Sequence, residues 1–318
     1  MKKDGSWTSN LPTPNNSFSG VKKKLKKNIG LYCIIFPAVL YFLIWAYWPM
    51  YGVIIAFKDF LPGIGILDSP WVGFAHFERF FNSFYFERLL RNTVAISLYT
   101  IIIGIPLPII LALMFNEIRS KRLRTFTQTI SYAPHFISVV VVVGMILFFL
   151  SPSNGLINNL IEMFGGEKKN FLADPASFWH IFVWSGVWQS IGWSSLIYTA
   201  AMAGISPEQY EAAYIDGAGK LQRIWHVTLP GIIPTIIILS ILSVGGIMSV
   251  GHEKILLLQN GLNQETSEVI STYVYKSGIL NAQYSFSAAI GLFNNVINFS
   301  ILLVVNSIAR KVSETSLW

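Results

Sequence analysis

Residues 206–217 read Ser-Pro-Glu-Gln-Tyr-Glu-Ala-Ala-Tyr-Ile-Asp-Gly, and ten residues after Gly217 the chain reads Val227-Thr228-Leu229-Pro230. This polar stretch lies between two long apolar blocks and carries helix signals of its own. Ser206 can act as an N-cap, Pro207 occupies the first helical position, and Gln209 falls where a capping box needs it. Gly217 is a natural left-handed stop, so a short helix is predicted from Pro207 to about Gly217. Ala212 and Ala213 give it a slim face, and Glu211 sets one negative charge beside that face. A small-faced helix hung between two apolar blocks has the form of a plug for a groove in a soluble partner.

The blocks on either side are membrane-like. The chain has 318 residues, 53% of them hydrophobic and only 12% charged, against about 25% charged in soluble domains. Six apolar runs are long enough to cross a bilayer, which takes about 20 residues in a helix. They lie near 29–57, 92–115, 129–150, 178–203, 229–250 and 286–309. By these boundaries no span carries Asp, Glu, Lys or Arg, whereas ion-coupled carriers place ionisable groups near the midplane.

Charge sets the orientation. With both ends inside, the inner segments hold Lys2, Lys3, Lys22, Lys23, Lys24, Lys26, Lys27, Arg119, Lys121, Arg122, Arg124, Lys220, Arg223, Arg310 and Lys311 against six acidic residues, a net of +9. The outer segments then carry a net of −2, and the two make up the total of +7. This asymmetry follows the positive-inside rule, and it accounts for the basic balance as membrane orientation rather than nucleic-acid binding. Residues 1–28 read as a disordered basic tail, with its lysine cluster near lipid headgroups; 312–318 form a short C-terminal tail. The run from Ile29 is too long for a signal-peptide core and reads as an uncleaved span. The single cysteine, Cys33, rules out an internal disulfide, and the five scattered histidines suggest no metal site.

The spacing Glu211-Ala212-Ala213, Gly217, Val227-x-Leu229-Pro230 resembles the E-A-A-x3-G-x9-I-x-L-P signature of permease subunits of binding-protein-dependent ABC importers, with Val227 in place of Ile. Val72-Gly73-Phe74-Ala75-His76-Phe77 is similar to the V-G-x-x-N-F element of sugar-uptake permeases, with His76 where Asn is usual. Arg91-Asn92-Thr93 opens the second span, and Asn-Thr at that place also recurs there. The likeness covers most of 29–311, is most specific at 204–234, and is similar to the carbohydrate-uptake branch, especially the Lpl-type permeases for poly- and oligosaccharides. It implies an all-α protein of six transmembrane helices with a cytoplasmic coupling loop at 204–230, between spans four and five. It implies a homologous permease partner in a heterodimer, two cytoplasmic ATPase subunits, an external solute-binding lipoprotein, a bacterial cell membrane location and no cofactor in this chain. On the matching positions, Glu211, Ala212, Ala213, Gly217, Leu229 and Pro230 would dock the ATPase. Its closure would pass through the 206–217 helix and a second short helix ending at Leu229-Pro230.

Residues for the substrate path are less sharply marked. Trp184 and Trp188 share a face of the fourth span, with Ser195 near it and Gln189 to one side. Indole faces beside amides and hydroxyls suit sugar rings, and Trp is also common at membrane interfaces. Asn294 and Asn298 lie one turn apart on the sixth span, either bonding a neighbouring helix or lining a polar path. His135 reads as a proton relay or as a packed histidine. Gly217-Ala218-Gly219-Lys220 has Tyr214 where a P-loop needs Gly and Leu221 where it needs Ser or Thr, so no ATP site is expected here. Gly192-Trp193-Ser194 suggests an intramembrane protease, but His180 lies nearly four turns away. A transport subunit without catalytic residues is therefore expected; the alternatives are a self-contained channel or carrier, which would need intramembrane charge, and a membrane-embedded enzyme, which would need a convergent catalytic set.

Overall fold

The computed structural model describes residues 27–313 and 316–317. The basic tail expected over 1–28 lies, up to residue 26, outside the described residues, as do 314, 315 and 318 of the C-terminal tail. The chain divides into two units, Met1–Ile54 and Ile55–Trp318.

In the first unit the helix Ile29–Phe42 is apolar on all sides and passes through a wide π-turn, Leu43–Tyr47, into Trp48–Met50. Pro49 stands two residues past that wide turn. A proline ring clashes with the carbonyl four residues back, and a π-turn moves that carbonyl away.

The second unit is helical. Its one recorded strand-like pairing among the described residues is an isolated bridge between Lys58 and Trp71. Its long helices are Phe86–Gly104 continuing as Pro106–Glu117, Pro175–Ala203, Lys220–Gly245, and Tyr284–Ser313. Among the described residues four helices are long and apolar enough to cross a membrane, and five if one sharply bent pair is a single span. Pro175–Ala203 is outside that group although it has 29 residues, about 43 Å at 1.5 Å per residue. Its tryptophans, serines and Gln189 lower its apolar character, yet it carries no charge and forms the centre of the unit. It packs on Pro106–Glu117, Phe86–Gly104, Leu229–Gly245 and Lys121–Tyr132.

Two sequence-derived elements take a different form. The run expected as one span over 129–150 is broken. Lys121–Tyr132 extends through a 3-10 turn, Ala133–Phe136, and after Ile137 and Ser138 the helix Val139–Phe149 leaves at 96°. Ile137 and Ser138 are both extended, and the Ser138 hydroxyl caps the new helix by accepting from the Val141 N–H at 3.4 Å. The carbonyl of Ile137, freed by the break, accepts from Gln189 Nε2 at 2.8 Å. In a bilayer such a group must find its partner within the protein. The helix before the break crosses Pro175–Ala203 at Gly192, where a Cβ would stand 1.9 Å from the Ser131 carbonyl oxygen. The short helix expected to end at Leu229-Pro230 does not end there: Lys220–Arg223 runs through the π-turn Ile224–Thr228 into Leu229–Gly245. Again a proline, Pro230, stands two residues past the wide turn.

The connection 246–283 folds back as three short α-helices, His252–Leu258, Gln264–Ser267 and Ile270–Tyr275, the last running on into the π-turn Lys276–Leu280. The Asn92-Thr93 pair anchors it. Asn92 Nδ2 donates to the carbonyls of Glu265 (2.8 Å) and Glu268 (3.0 Å), and Thr93 Oγ1 accepts from the Ile270 N–H at 3.0 Å. The buried Glu268 carboxylate pairs with Arg88 and lies 3.4 Å from Lys276 Nζ. His76, which stands where the sugar-permease motif has Asn, is within hydrogen-bond distance of the Lys58 carbonyl, 3.1 Å from Nε2.

Candidate functional site

The short polar helix forms as Pro207–Ile215. Its C-terminus is closed by two reversed bonds, from the Ala218 N–H to Ala213 O (2.9 Å) and from the Gly217 N–H to Tyr214 O (3.1 Å). Gly217 has φ +78°, which glycine adopts without side-chain strain. The capping box expected of Ser206 and Gln209 is not formed: the Ser206 hydroxyl makes no cap bond, and the Gln209 N–H takes the Ser206 carbonyl instead. Pro207 has no N–H, so the first turn has one donor fewer to satisfy. A box-like contact appears one helix later, where Gln222 Oε1 accepts from the Gly219 N–H at 2.7 Å.

The face this helix presents is more apolar than the sequence reading emphasised. Glu211 and Ala212 are exposed, Ala213 is half-buried, and beside them stand Tyr214, 72% exposed, and Ile215, 83% exposed. Leu221 and Trp225 on the following helix are exposed as well. The signal was available: four large apolar side chains in a loop that is otherwise polar. Arg223 leans over the Tyr214 ring at 6.0 Å. On the other side, Tyr210 OH and Thr228 Oγ1 are 3.1 Å apart, joining this helix to the foot of Leu229–Gly245. Leu229 packs against the core cluster of Ile109, Ala112, Tyr198, Met202 and Ile232, while Pro230 is exposed.

A second feature lies among the long helices. A cavity of about 340 Å³ is lined by the hydroxyls of Ser97, Thr100, Ser190, Ser243 and Ser249, by the glycines 104, 246 and 251, and by the apolar Ile101, Ile105, Phe182, Ile247 and Val250. No charged side chain lines it. None of the four residues read from sequence as a path lines it. Trp184 and Trp188 are half-exposed, and Trp184 Nε1 donates to Tyr99 OH at 2.9 Å; that oxygen is also 2.9 Å from His180 Nδ1. Asn298 holds the wall in place: its Oδ1 accepts from the Met248 N–H at 2.8 Å, and its Nδ2 donates to Ser249 Oγ at 2.9 Å. Asn294 Oδ1 is buried without a partner among the described residues. His135 stacks flat on Trp193, centroids 4.6 Å apart.

Sequence reasoning missed Lys254. It lies in the connection 246–283, where a lysine reads as solvated, yet it is 8% exposed. Its Nζ donates to the Phe182 carbonyl at 3.0 Å and sits 5.0 Å over the Phe182 ring. Burial lowers its pKa to about 8, because desolvation disfavours the charged form.

The fold and these two features define a membrane transport subunit. The chain belongs to the family described as the binding-protein-dependent transport system inner membrane component, which matches residues 104–314. Over 295 residues it is 42% identical to the polygalacturonan/rhamnogalacturonan transport system permease protein YteP of Bacillus subtilis (strain 168), covering 93% of this chain and 92% of that protein. It is likewise 42% identical to Protein LplB of the same organism, covering 92% of each chain. A solved structure of a bacterial ABC transporter involved in the import of the acidic polysaccharide alginate contains a chain 41% identical to this one. The two superpose with a TM-score of 0.86 over 92% of this chain and 99% of that one. A second structure, of a bacterial alginate ABC transporter in complex with an alginate pentasaccharide-bound periplasmic protein, gives 40% identity and the same TM-score.

Proposed function

We propose that this chain is one of two homologous membrane subunits of an ATP-driven importer that moves oligo- or polysaccharide across a bacterial cell membrane by alternating access. In this reading six spans cross the bilayer with both ends and the 204–230 loop in the cytoplasm, the bent 121–149 segment and the 29-residue Pro175–Ala203 helix supplying the third and fourth. Two ATPase subunits hydrolyse ATP, and an external solute-binding lipoprotein delivers the sugar. The observation that carries the reading is the exposed face of Pro207–Ile215, where Glu211, Ala212, Tyr214 and Ile215 stand free at a rigidly capped helix hydrogen-bonded through Tyr210 to the next long helix. An exposed apolar face rimmed by charge is the form of a protein interaction site. ATP-driven closure of the ATPases would pull on this helix, and Tyr210–Thr228 would pass the motion to Leu229–Gly245, a wall of the hydroxyl-lined cavity. The relatives' names support a carbohydrate cargo.

The test is co-purification with the cognate ATPase together with sugar uptake. Glu211→Lys, or a bulky residue at Gly217, should abolish ATPase association or transport while membrane insertion stays normal. At Gly217 there is open space for a side chain, so the effect comes from backbone strain at positive φ, about 1–2 kcal/mol. Wild-type association and uptake in both variants would remove this helix as the docking element.

A further inference from the structure

We propose that the Lys121 end of the helix Lys121–Tyr132 is a binding site for an anionic glycerophospholipid. Lys121 and Arg122 take the headgroup phosphate, and an exposed apolar stripe farther along the same helix takes an acyl chain.

The fold puts these cations at a bilayer surface. Glu117, Arg119, Met202 and Lys220 line one cavity, so the helix begins beside the Ala203 end of the central helix Pro175–Ala203. The two helices touch at Ser131 and Gly192. Ser131 is ten residues on from Lys121, and Gly192 is eleven residues back from Ala203, about 15 and 16 Å along the two axes. The cations therefore stand where the central helix leaves the membrane, and Ser131 lies well inside it. Leu123, Phe126 and Ile130 follow at steps of three and four, on one side of the helix, and all three are exposed. Lys121, Arg122, Thr125, Phe126 and Thr129 line an open depression. Charge stands at the membrane surface and apolar side chains run inward from it, the order of a phospholipid headgroup and its chain.

The charge calls for an anion. Arg119 and Arg124 flank the pair, giving four cations within residues 119–124. None of the ion pairs recorded among the described residues involves any of the four. The acid nearest to them in the chain, Glu117, lies 4.0 Å from Lys220 instead. A guanidinium fork beside an ammonium suits a phosphate, and basic residues at a bilayer surface attract anionic lipid. The hydroxyls refine the class. Thr129 Oγ1 donates to the Thr125 carbonyl at 2.9 Å, so outward it offers lone pairs, which a hydroxyl-bearing headgroup such as glycerol can meet. A free phosphate would engage the cations and leave Phe126 and Ile130 uncovered; a lipid matches both halves.

The experiment titrates the intact transporter, purified in detergent, with phosphatidylglycerol and with phosphatidylcholine of the same chains, and counts bound lipid by native mass spectrometry. Wild type should retain phosphatidylglycerol in preference. Lys121→Gln with Arg122→Gln should weaken that binding about 25-fold, about fivefold for each basic side chain at the surface. Arg310→Gln with Lys311→Gln removes equal charge from the end of Tyr284–Ser313 and should leave the tight site unchanged. Each single variant at 121 or 122 should lose about fivefold, and these carry the test if the pair does not assemble. In a Cys33→Ser background, bimane on Phe126→Cys should be quenched by phosphatidylglycerol with brominated chains. Equal retention of the two lipids by wild type overturns the proposal, as does equal loss in the 121/122 and 310/311 pairs. Displacement of the lipid by glycerol 1-phosphate marks a free-phosphate site and overturns it. An unquenched bimane in the assembled complex shows that a protein partner covers the stripe, and failure of the single variants to assemble marks the cations as structural; either result overturns it.

Discussion

Gly192→Ala tests whether the crossing at the centre of the unit is as close as the structure shows. A Cβ there would lie 1.9 Å from the Ser131 carbonyl oxygen, 2.4 Å from its carbon and 3.0 Å from the Tyr132 nitrogen. All three are backbone atoms of the opposing helix, so no rotamer change relieves the clash. A carbon normally stands about 3.3 Å from a carbonyl oxygen, so the 121–132 helix must retreat by roughly 1.4 Å. That retreat strains two contacts beyond the crossing: the His135–Trp193 stack at 4.6 Å and the Gln189 bond to Ile137 O at 2.8 Å. Overpacking of this kind costs about 1–3 kcal/mol, and a weakened buried bond adds about 1 kcal/mol. Thermal unfolding of the purified protein in detergent should show a midpoint lower by about 5 °C or more. Gly144→Ala is the control: it sits in the helix Val139–Phe149 with nothing within 4 Å of its Cβ position, and alanine there should be neutral or stabilising by up to about 1 kcal/mol. Indistinguishable midpoints for the two variants would refute the close crossing.

Tyr210→Phe removes the hydroxyl contact to Thr228 while leaving the proposed docking face intact, so ATPase association should persist while sugar-stimulated ATP hydrolysis falls several-fold; an unaltered stimulation in reconstituted complexes would show that motion does not pass through this bond. Asn298→Leu breaks two bonds to the 248–249 turn and should destabilise the protein by about 1–3 kcal/mol with a loss of uptake; a wild-type melting midpoint would show that the turn holds without it. For topology, cysteines at 160 and 265 in a Cys33→Ser background should react with an impermeant maleimide from outside, and one at 215 only after permeabilisation; labelling of 215 in sealed cells would overturn the orientation.

What the sequence disclosed and what it hid separate along one physical line. Continuous features were legible: the uncharged runs that became Phe86–Glu117 and Tyr284–Ser313, and the Pro207 start and Gly217 stop of the polar helix, are written in local chemistry. Features that depend on two distant segments were not. Nothing near Gly192 announces that Ser131 will lie against it, and nothing near Lys254 announces Phe182, 72 residues earlier. The break at 137–138 was masked because 129–150 carries no charged residue, so the run reads as one span through a 96° bend although Lys121–Tyr132 is far more polar than Val139–Phe149. Yet the polar residues inside the spans carried a trace of these breaks. Gln189 lies on an unbroken helix and serves the freed carbonyl of Ile137; Asn298 lies on another and serves the Met248 N–H where the preceding helix ends at Gly245. An interrupted helix in lipid frees backbone groups that water cannot reach, and an amide can meet either a donor or an acceptor. Gln189 and Asn298 each mark a neighbour's interruption, whereas Asn294, on the same span as Asn298, does not. Here one interruption lies beside the central crossing, and the other forms part of the wall of the cavity. The broken segments are held at their breaks by side chains of the unbroken helices Pro175–Ala203 and Tyr284–Ser313.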